Sequence, residues 1–263
     1  MTEKDLFFFK KWFADFCRSF YSENADDQRN ISLKEGHTHN VCSNINRITE
    51  DLSLDRNEIM LSVTIALFHD LGRFPQYAKY GTFSDSASVN HGKLGSDILN
   101  EKGVLKNLPV NEQGIILDSV RFHNAFSIPD LHSRETVLFL RLIRDADKLD
   151  IWRVFVEPYY KTEEGMTSAV NLGLPDTPEY SEKALSCIYK KEIVPLAYLK
   201  TLNDFRLLQL SWVYDLNFSI SFRLLLEHAY IRKIVEYLPH TENIKRMHLL
   251  LEEFANQRGK ENM

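Results

Sequence analysis

Apolar residues recur along most of the chain at steps of three and four, the period of a helix with one buried face. Phe9, Trp12, Phe13, Phe16 and Phe20 form such a stripe and predict an amphipathic helix over about residues 4–22. The polar stretch 22–30 predicts a loop, with Ser32 placed to cap the next helix. The next face reads His37, Val41, Ile45, Ile48, so a histidine prolongs a buried stripe at its N-terminal end. His39, two residues on, falls near the opposite side and is expected at the surface or behind the inward groups.

The run Ala66-Leu67-Phe68-His69-Asp70-Leu71-Gly72-Arg73-Phe74 carries the clearest chemistry. Ile59, Val63 and Ala66 lead at helical spacing onto Asp70, and Ile65 lies one turn before His69. An imidazole and a carboxylate thus extend an apolar face. Burying them costs several kcal/mol unless each finds a charge, a hydrogen bond or a metal. Gly72, Pro75 and the run from Tyr77 to Asp85 break the periodicity and predict a long loop beside the dyad. Tyr80, Phe83 and Asp85 on that loop are candidates for substrate contact.

His91 opens a further helix with Leu94, Ile98 and Leu99 on its face. A helix from about residue 111 sets Ile116, Val120 and His123 in line, and after a break over 129–134 Leu140 and Ile143 lead to Asp147. Asp145 points half a turn away, so Asp147 is the inward carboxylate. Residues 157–180, with Pro158, Gly165, Gly173, Pro175 and Pro178, predict a loop-rich connection. Helices are expected near 182–193, 196–217, 219–238 and 241–258. No strong alternating strand pattern occurs, and the fold class expected is all-α.

Composition bounds the picture without redrawing it. A chain of 263 residues, 44% hydrophobic, can enclose a site within one large domain. A net charge of −5 gives no footprint for extended nucleic acid. Cys17, Cys42 and Cys187 are scattered and suit buried free thiols rather than a disulfide framework or a thiolate metal site. Lysines interrupt the apolar N-terminal run, and no stretch is long enough to span a bilayer, so a cytoplasmic protein without membrane contact is expected.

The chemistry lies in a coincidence of placement. His37, His69 with Asp70, His91, His123 and Asp147 each end an apolar face, on five separate predicted helices. A bundle that gathers these ends supplies four imidazoles and two carboxylates, a donor set for Mn, Fe, Co, Ni or Zn rather than Ca.

His37 with Val41 four residues on, the dyad in the form His-Asp-Leu-Gly-Arg, and Ala146-Asp147-Lys148-Leu149-Asp150 resemble the HD-domain metal-dependent phosphohydrolase superfamily. The resemblance implies one HD-type domain over 1–263, with its core at about 34–155 and a helical extension at about 181–260. It implies that His37, His69, Asp70 and Asp147 bind a first divalent transition metal. His91 and His123 match the extra histidines of dinuclear members, in which Asp70 bridges two ions. With one ion, either histidine is free to act as general acid.

Lys148 matches a lysine that contacts substrate phosphate in some members of the family. Arg73 is a second candidate to bind and stabilise a phosphoryl group. No Gly-Tyr-Pro motif accompanies these histidines, so the cyclic-dinucleotide subclass is not implied. The activity implied is hydrolysis of a phosphate ester or anhydride, on a nucleotide or other small phosphorylated metabolite, by hydroxide that a metal generates. Two alternatives stay open: an HD-type di-iron oxygenase, and a nucleotide-binding domain without catalysis. The C-terminal helices either complete the core or offer a homodimer face.

Overall fold

The computed structural model describes residues 1–130, 133–157, 161–162, 165–166 and 173–261. The fold is all-α, apart from a two-residue antiparallel pair, β1 (Lys161–Thr162) with β2 (Gly165–Met166), in which Lys161 faces Met166. The chain divides into two compact units, Met1–Asp147 and Lys148–Met263. The expected domain core, about 34–155, therefore extends past the first unit's boundary.

The first unit holds α1 (Glu3–Arg18), α2 (Ala25–Asp51), α3 (Arg56–Phe68), α4 (Arg73–Tyr80), α5 (His91–Glu101), α6 (Val110–Phe122) and the opening of α7 (Arg134–Val156). At its centre is α3, where every residue from Met60 to Phe68 is buried. A helix enclosed on all sides leaves its C-terminal end inside the protein, and His69 caps that end. α1 and α6 pack on α3, as does α2, and α5 packs on α6.

The aromatic stripe of α1 grips both flanks of the turn that carries the dyad. Phe9 and Trp12 meet Phe68 edge to face at 5.6 and 5.8 Å, while Phe13 and Phe16 meet Phe74 at 6.1 and 6.2 Å. Phe68 directly precedes His69 and Phe74 directly follows Arg73. Aromatic pairs of this kind add about 0.5–1.5 kcal/mol each beyond their buried area. Together they fix the position of the turn.

Two expectations give way here. α2 begins at Ala25, so most of 22–30 is helix and Ser32 lies inside it. Asn24 is the cap: its side-chain oxygen accepts from the amides of Asp26 and Asp27 at 2.9 and 3.1 Å, and both acidic residues favour the positive end of the helix. Asn24→Ala is expected to cost about 1 kcal/mol, read as a lower denaturant midpoint of the full chain; an unchanged midpoint would contradict the assignment. The loop expected over 72–85 begins only after Tyr80, because 73–80 form α4. Pro75 sits in the first turn, where a missing amide hydrogen leaves no intrahelical bond unmade. Gly81 ends the helix at φ +63°.

The second unit has α8 (Glu182–Tyr189), α9 (Leu202–Ser211), α10 (Ser219–Glu227), α11 (Tyr230–Val235) and α12 (Glu242–Lys260). Fully buried Trp152 donates its indole hydrogen to the Gln209 carbonyl at 3.1 Å. The helix expected over 196–217 is broken, because Thr201 and Asp204 form a capping box that restarts it at Leu202, with single 3-10 turns on either side. That expected over 219–238 is cut at Ala229, which adopts φ +53°. The predicted 157–180 connection falls partly outside the described residues, Pro158 included. Among the described residues, no helix is long and apolar enough to cross a membrane.

Candidate metal centre

Six side chains reach one buried region of the first unit from helix ends and helix faces. His37 comes from α2, His69 from the cap of α3, and Asp70 from the turn between α3 and α4. His91 opens α5, His123 caps α6 and Asp147 lies on α7. Backbone contact brings α4 and α5 together. A Cβ on Gly72 would stand 2.2 Å from the His91 carbonyl oxygen, and one on Gly92 would stand 2.8 Å from that of Arg121. Glycine at these two points lets the start of α5 lie against both the dyad turn and the end of α6, which carries His91 to Asp70 and His123. On the other side, Asn44 of α2 donates to the Ala146 carbonyl at 3.0 Å and holds α7 where Asp147 enters.

The groups gather around Asp70. Its Oδ2 lies 3.6 Å from His37 Nε2 and 3.8 Å from His69 Nε2, and its Oδ1 lies 3.3 Å from His91 Nε2 and 3.9 Å from His123 Nε2. Asp147 Oδ1 is 3.0 Å from His37 Nε2 and 3.7 Å from His69 Nε2. Two buried groups that could hold a metal ion result, His37-His69-Asp70 and Asp70-His91-His123, and they share Asp70.

Hydrogen bonding sets the tautomers. His69 Nδ1 is 2.7 Å from the Ala66 carbonyl and His123 Nδ1 is 2.8 Å from that of Val120. A carbonyl oxygen can only accept, so both rings carry their hydrogen on Nδ1. His91 Nδ1 faces the Asp85 carboxylate at 2.8 Å. In each case Nε2 turns inward as a lone pair.

Electrostatics keep these rings neutral. Burial, then His91 and His69, push His123 down to about 3. Burial lowers His69 as well, and burial with the Arg73 charge lowers His91. Burial alone would raise Asp70, but Lys34, His69, Arg73 and His91 outweigh it and hold the carboxyl well below the usual range. In Asp147, burial is likewise outweighed, chiefly by the His37 hydrogen bond.

The donor set fits a metal. His91 and His123 Nε2 approach to 3.0 Å, and His37 and His69 Nε2 to 3.3 Å. With both Nδ1 atoms protonated and both rings neutral, the His91 and His123 lone pairs face each other with no hydrogen to share. Two nitrogens bound to one ion at ~2.0–2.1 Å lie about 2.9–3.4 Å apart, for bond angles from a right angle to tetrahedral. A cation between the rings satisfies both.

Residues 35–152 match the family model of the HD domain. The matched stretch is under half of the chain, and all six inward groups lie within it. No curated protein and no solved structure matches the chain. The match agrees with the resemblance drawn from the His-Asp dyad and the distal aspartate. It leaves α1 outside, although that helix grips both flanks of the dyad turn.

Around these inner groups lies a support layer that sequence reasoning reached only in part. Asp85 accepts from His91 Nδ1, from Arg73 Nη1 at 3.0 Å, and from Gln76 Nε2 and Asn124 Nδ2 at 2.9 Å each. Asp85, a candidate for substrate contact from the sequence, is placed by the structure against His91 Nδ1, where it orients the ring. Arg73 also donates to the Phe83 carbonyl and lies 3.5 Å from Asp70 Oδ1 through Nε, so it ties loop to dyad. Phe83 is buried against Tyr77 at 5.0 Å, whereas Tyr80 is exposed beneath Lys79. Lys148 is paired with Asp215 at 2.6 Å. His39 is exposed, with Phe13 edge-on to its ring.

Sequence reasoning missed Asn124, which follows His123, and buried Gln76, whose partners lie on the next loop. It also missed Arg144, which donates to the His123 carbonyl at 3.2 Å. Lys34, whose Nζ is 2.8 Å from Asp70 Oδ2, lies three residues before His37 on the same face of α2. That spacing was the available signal.

Asp85→Asn should lower metal affinity about 10–100-fold, the usual effect of removing a carboxylate behind a metal-binding imidazole. Competition with a chromogenic chelator measures it, and unchanged affinity would contradict the orienting role.

The same burial predicts a pH dependence for the metal-free protein. The folded pKa of His123 is below the unfolded value, so between about 6.5 and 3 the unfolded chain takes up a proton that the folded chain refuses. Stability therefore falls as pH falls, by up to about 1.4 kcal/mol per pH unit for each such imidazole. The melting temperature should drop from pH 7 to pH 5; a flat profile would count against neutral buried rings.

Proposed function

We propose that the chain is a metal-dependent phosphohydrolase acting on a phosphate ester or anhydride of a nucleotide or other small phosphorylated metabolite. One observation carries the reading: the two oxygens of Asp70 face different histidine pairs, which is the arrangement of a carboxylate shared by two ions. His37, His69, Asp70 and Asp147 would hold one ion, and Asp70, His91 and His123 the other, as Mn, Fe, Co, Ni or Zn. When bound, such ions supply a water of lowered pKa and a Lewis acid for the phosphoryl oxygen.

The chain's own residues supply orientation and charge. Asp70 and Asp147, both ionised, offset the cations. Asp85, Ala66 and Val120 hold three imidazoles with Nε2 inward. His91 and His123, neutral, buried and tied through Nδ1, suit ligation better than proton donation, since a general acid needs a proton near neutral pH. Arg73 steadies Asp70 and the 83–85 loop rather than reaching for substrate.

Screening the metal-loaded full chain against nucleotides and small phosphomonoesters, with and without dioxygen, tests the reading. Release of inorganic phosphate or of a dephosphorylated product at the same rate under argon is expected. Iron-dependent uptake of dioxygen without phosphate release would overturn it in favour of an oxygenase.

A further inference from the structure

The phosphohydrolase reading calls for a protein cation at the phosphate, and Arg73 and Lys148, the two candidates named from the sequence, already have partners of their own. Arg73 is committed to Asp85, Gln76 and the Phe83 carbonyl, and Lys148 to Asp215. We propose that Lys34 is the residue of this chain that contacts the substrate phosphate.

Its Nζ lies 2.8 Å from Oδ2 of Asp70, the carboxylate around which both candidate metal groups are built. A phosphoryl group held between those groups lies next to Asp70 and within reach of this ammonium. Lys34 is also less enclosed than Asp70 and the four histidines: its side chain is 17% exposed, against 4% or less for those five, and it shares this open side with Asp147 at 19%. It therefore stands where buried ligands give way to solvent, the side from which an anion arrives. Its ammonium is held rather than loose, because Nζ lies 5.4 Å from the centre of the Phe83 ring, a cation-π distance. Phe83 thus guides the cation that would meet substrate. A lysine suits this place as a compact charge with three rotatable donors, able to hold Asp70 and a phosphate oxygen together.

The proposal rests on the phosphohydrolase reading, and its test separates the two. Lys34→Met keeps an unbranched apolar side chain and removes the charge. Calorimetry with inorganic phosphate on the Mn-loaded full chain is expected to show tenfold or greater weakening, with metal content unchanged by elemental analysis and Lys34→Arg recovering part of the affinity. Where the wild type turns over a phosphoester, KM should rise more than kcat falls.

Phosphate affinity within twofold of wild type in Lys34→Met would overturn the proposal and leave the hydrolase reading standing. Loss of metal from that variant would also overturn it, making Lys34 a positioning residue for Asp70. If the wild type neither binds phosphate nor releases it from any ester, the hydrolase reading itself fails and the proposal with it.

Discussion

Asp70→Asn is expected to abolish activity and to strip metal from both groups at once, a larger effect than any other single substitution in the site. The carboxylate touches both histidine pairs, with Oδ2 toward His37 and His69 and Oδ1 toward His91 and His123. An amide of the same shape keeps one neutral oxygen and loses the charge that would offset two cations. The loss in metal affinity should exceed the ~10–100-fold that removal of an outer partner costs. The fold should survive. Lys34, left without its carboxylate, is 17% exposed and can turn to water, and the apolar packing of α3 is untouched. Helical circular dichroism should therefore match wild type while elemental analysis finds little metal. A variant that retained both metal equivalents would contradict the shared role of Asp70.

Gly72→Ala should have the largest effect on stability. The added Cβ would stand 2.2 Å from the His91 carbonyl oxygen and 2.8 Å from the Gly95 nitrogen, and both obstacles are backbone. No rotamer change relieves such a clash. The start of α5 has to move away from the dyad turn, at a cost in the upper part of the ~1–3 kcal/mol range for overpacking. Because that movement carries His91 away from Asp70, metal binding should weaken along with stability. Gly36→Ala is the control: nothing lies within 4 Å of its added Cβ, and a helical alanine in place of glycine should stabilise by about 0.5–1 kcal/mol. Thermal melts of the two variants should move in opposite directions. Equal melting temperatures would contradict the close approach at Gly72.

How far the sequence reveals this site depends on how local each signal is. The six inward groups are legible because each ends a helical apolar stripe. His37 continues Val41, Ile45 and Ile48, and His123 continues Ile116 and Val120. The layer behind them is less legible. Asp85 and Asn124 meet His91, and Gln76 meets Asp85, only through tertiary packing; of the three the sequence singles out Asp85 alone, and for substrate contact rather than for His91. Lys34 lies on a readable stripe, but a lysine three residues before a histidine reads as solvated until Asp70 is seen beside it.

The fold shows the same division. Pro75 and Gly72 look like loop punctuation, yet Pro75 occupies a first turn that tolerates it and Gly72 serves a close approach. The break at Ala229 has no local sign, since alanine rarely takes a positive φ. The capping boxes Thr2-Asp5, Asp55-Glu58 and Thr201-Asp204 are by contrast plain sequence signals, and all three form.

If Asp70 divides its two oxygens between two ions, removing the histidine pair at one oxygen should release one ion and leave the other. Elemental analysis decides this on the full chain, purified without chelator and reloaded with Mn or Fe, by comparing wild type with the His91→Ala, His123→Ala double variant. About two metal equivalents are expected in wild type and about one in the variant, because His37, His69, Asp70 and Asp147 remain as a set. One equivalent in both proteins would contradict the division.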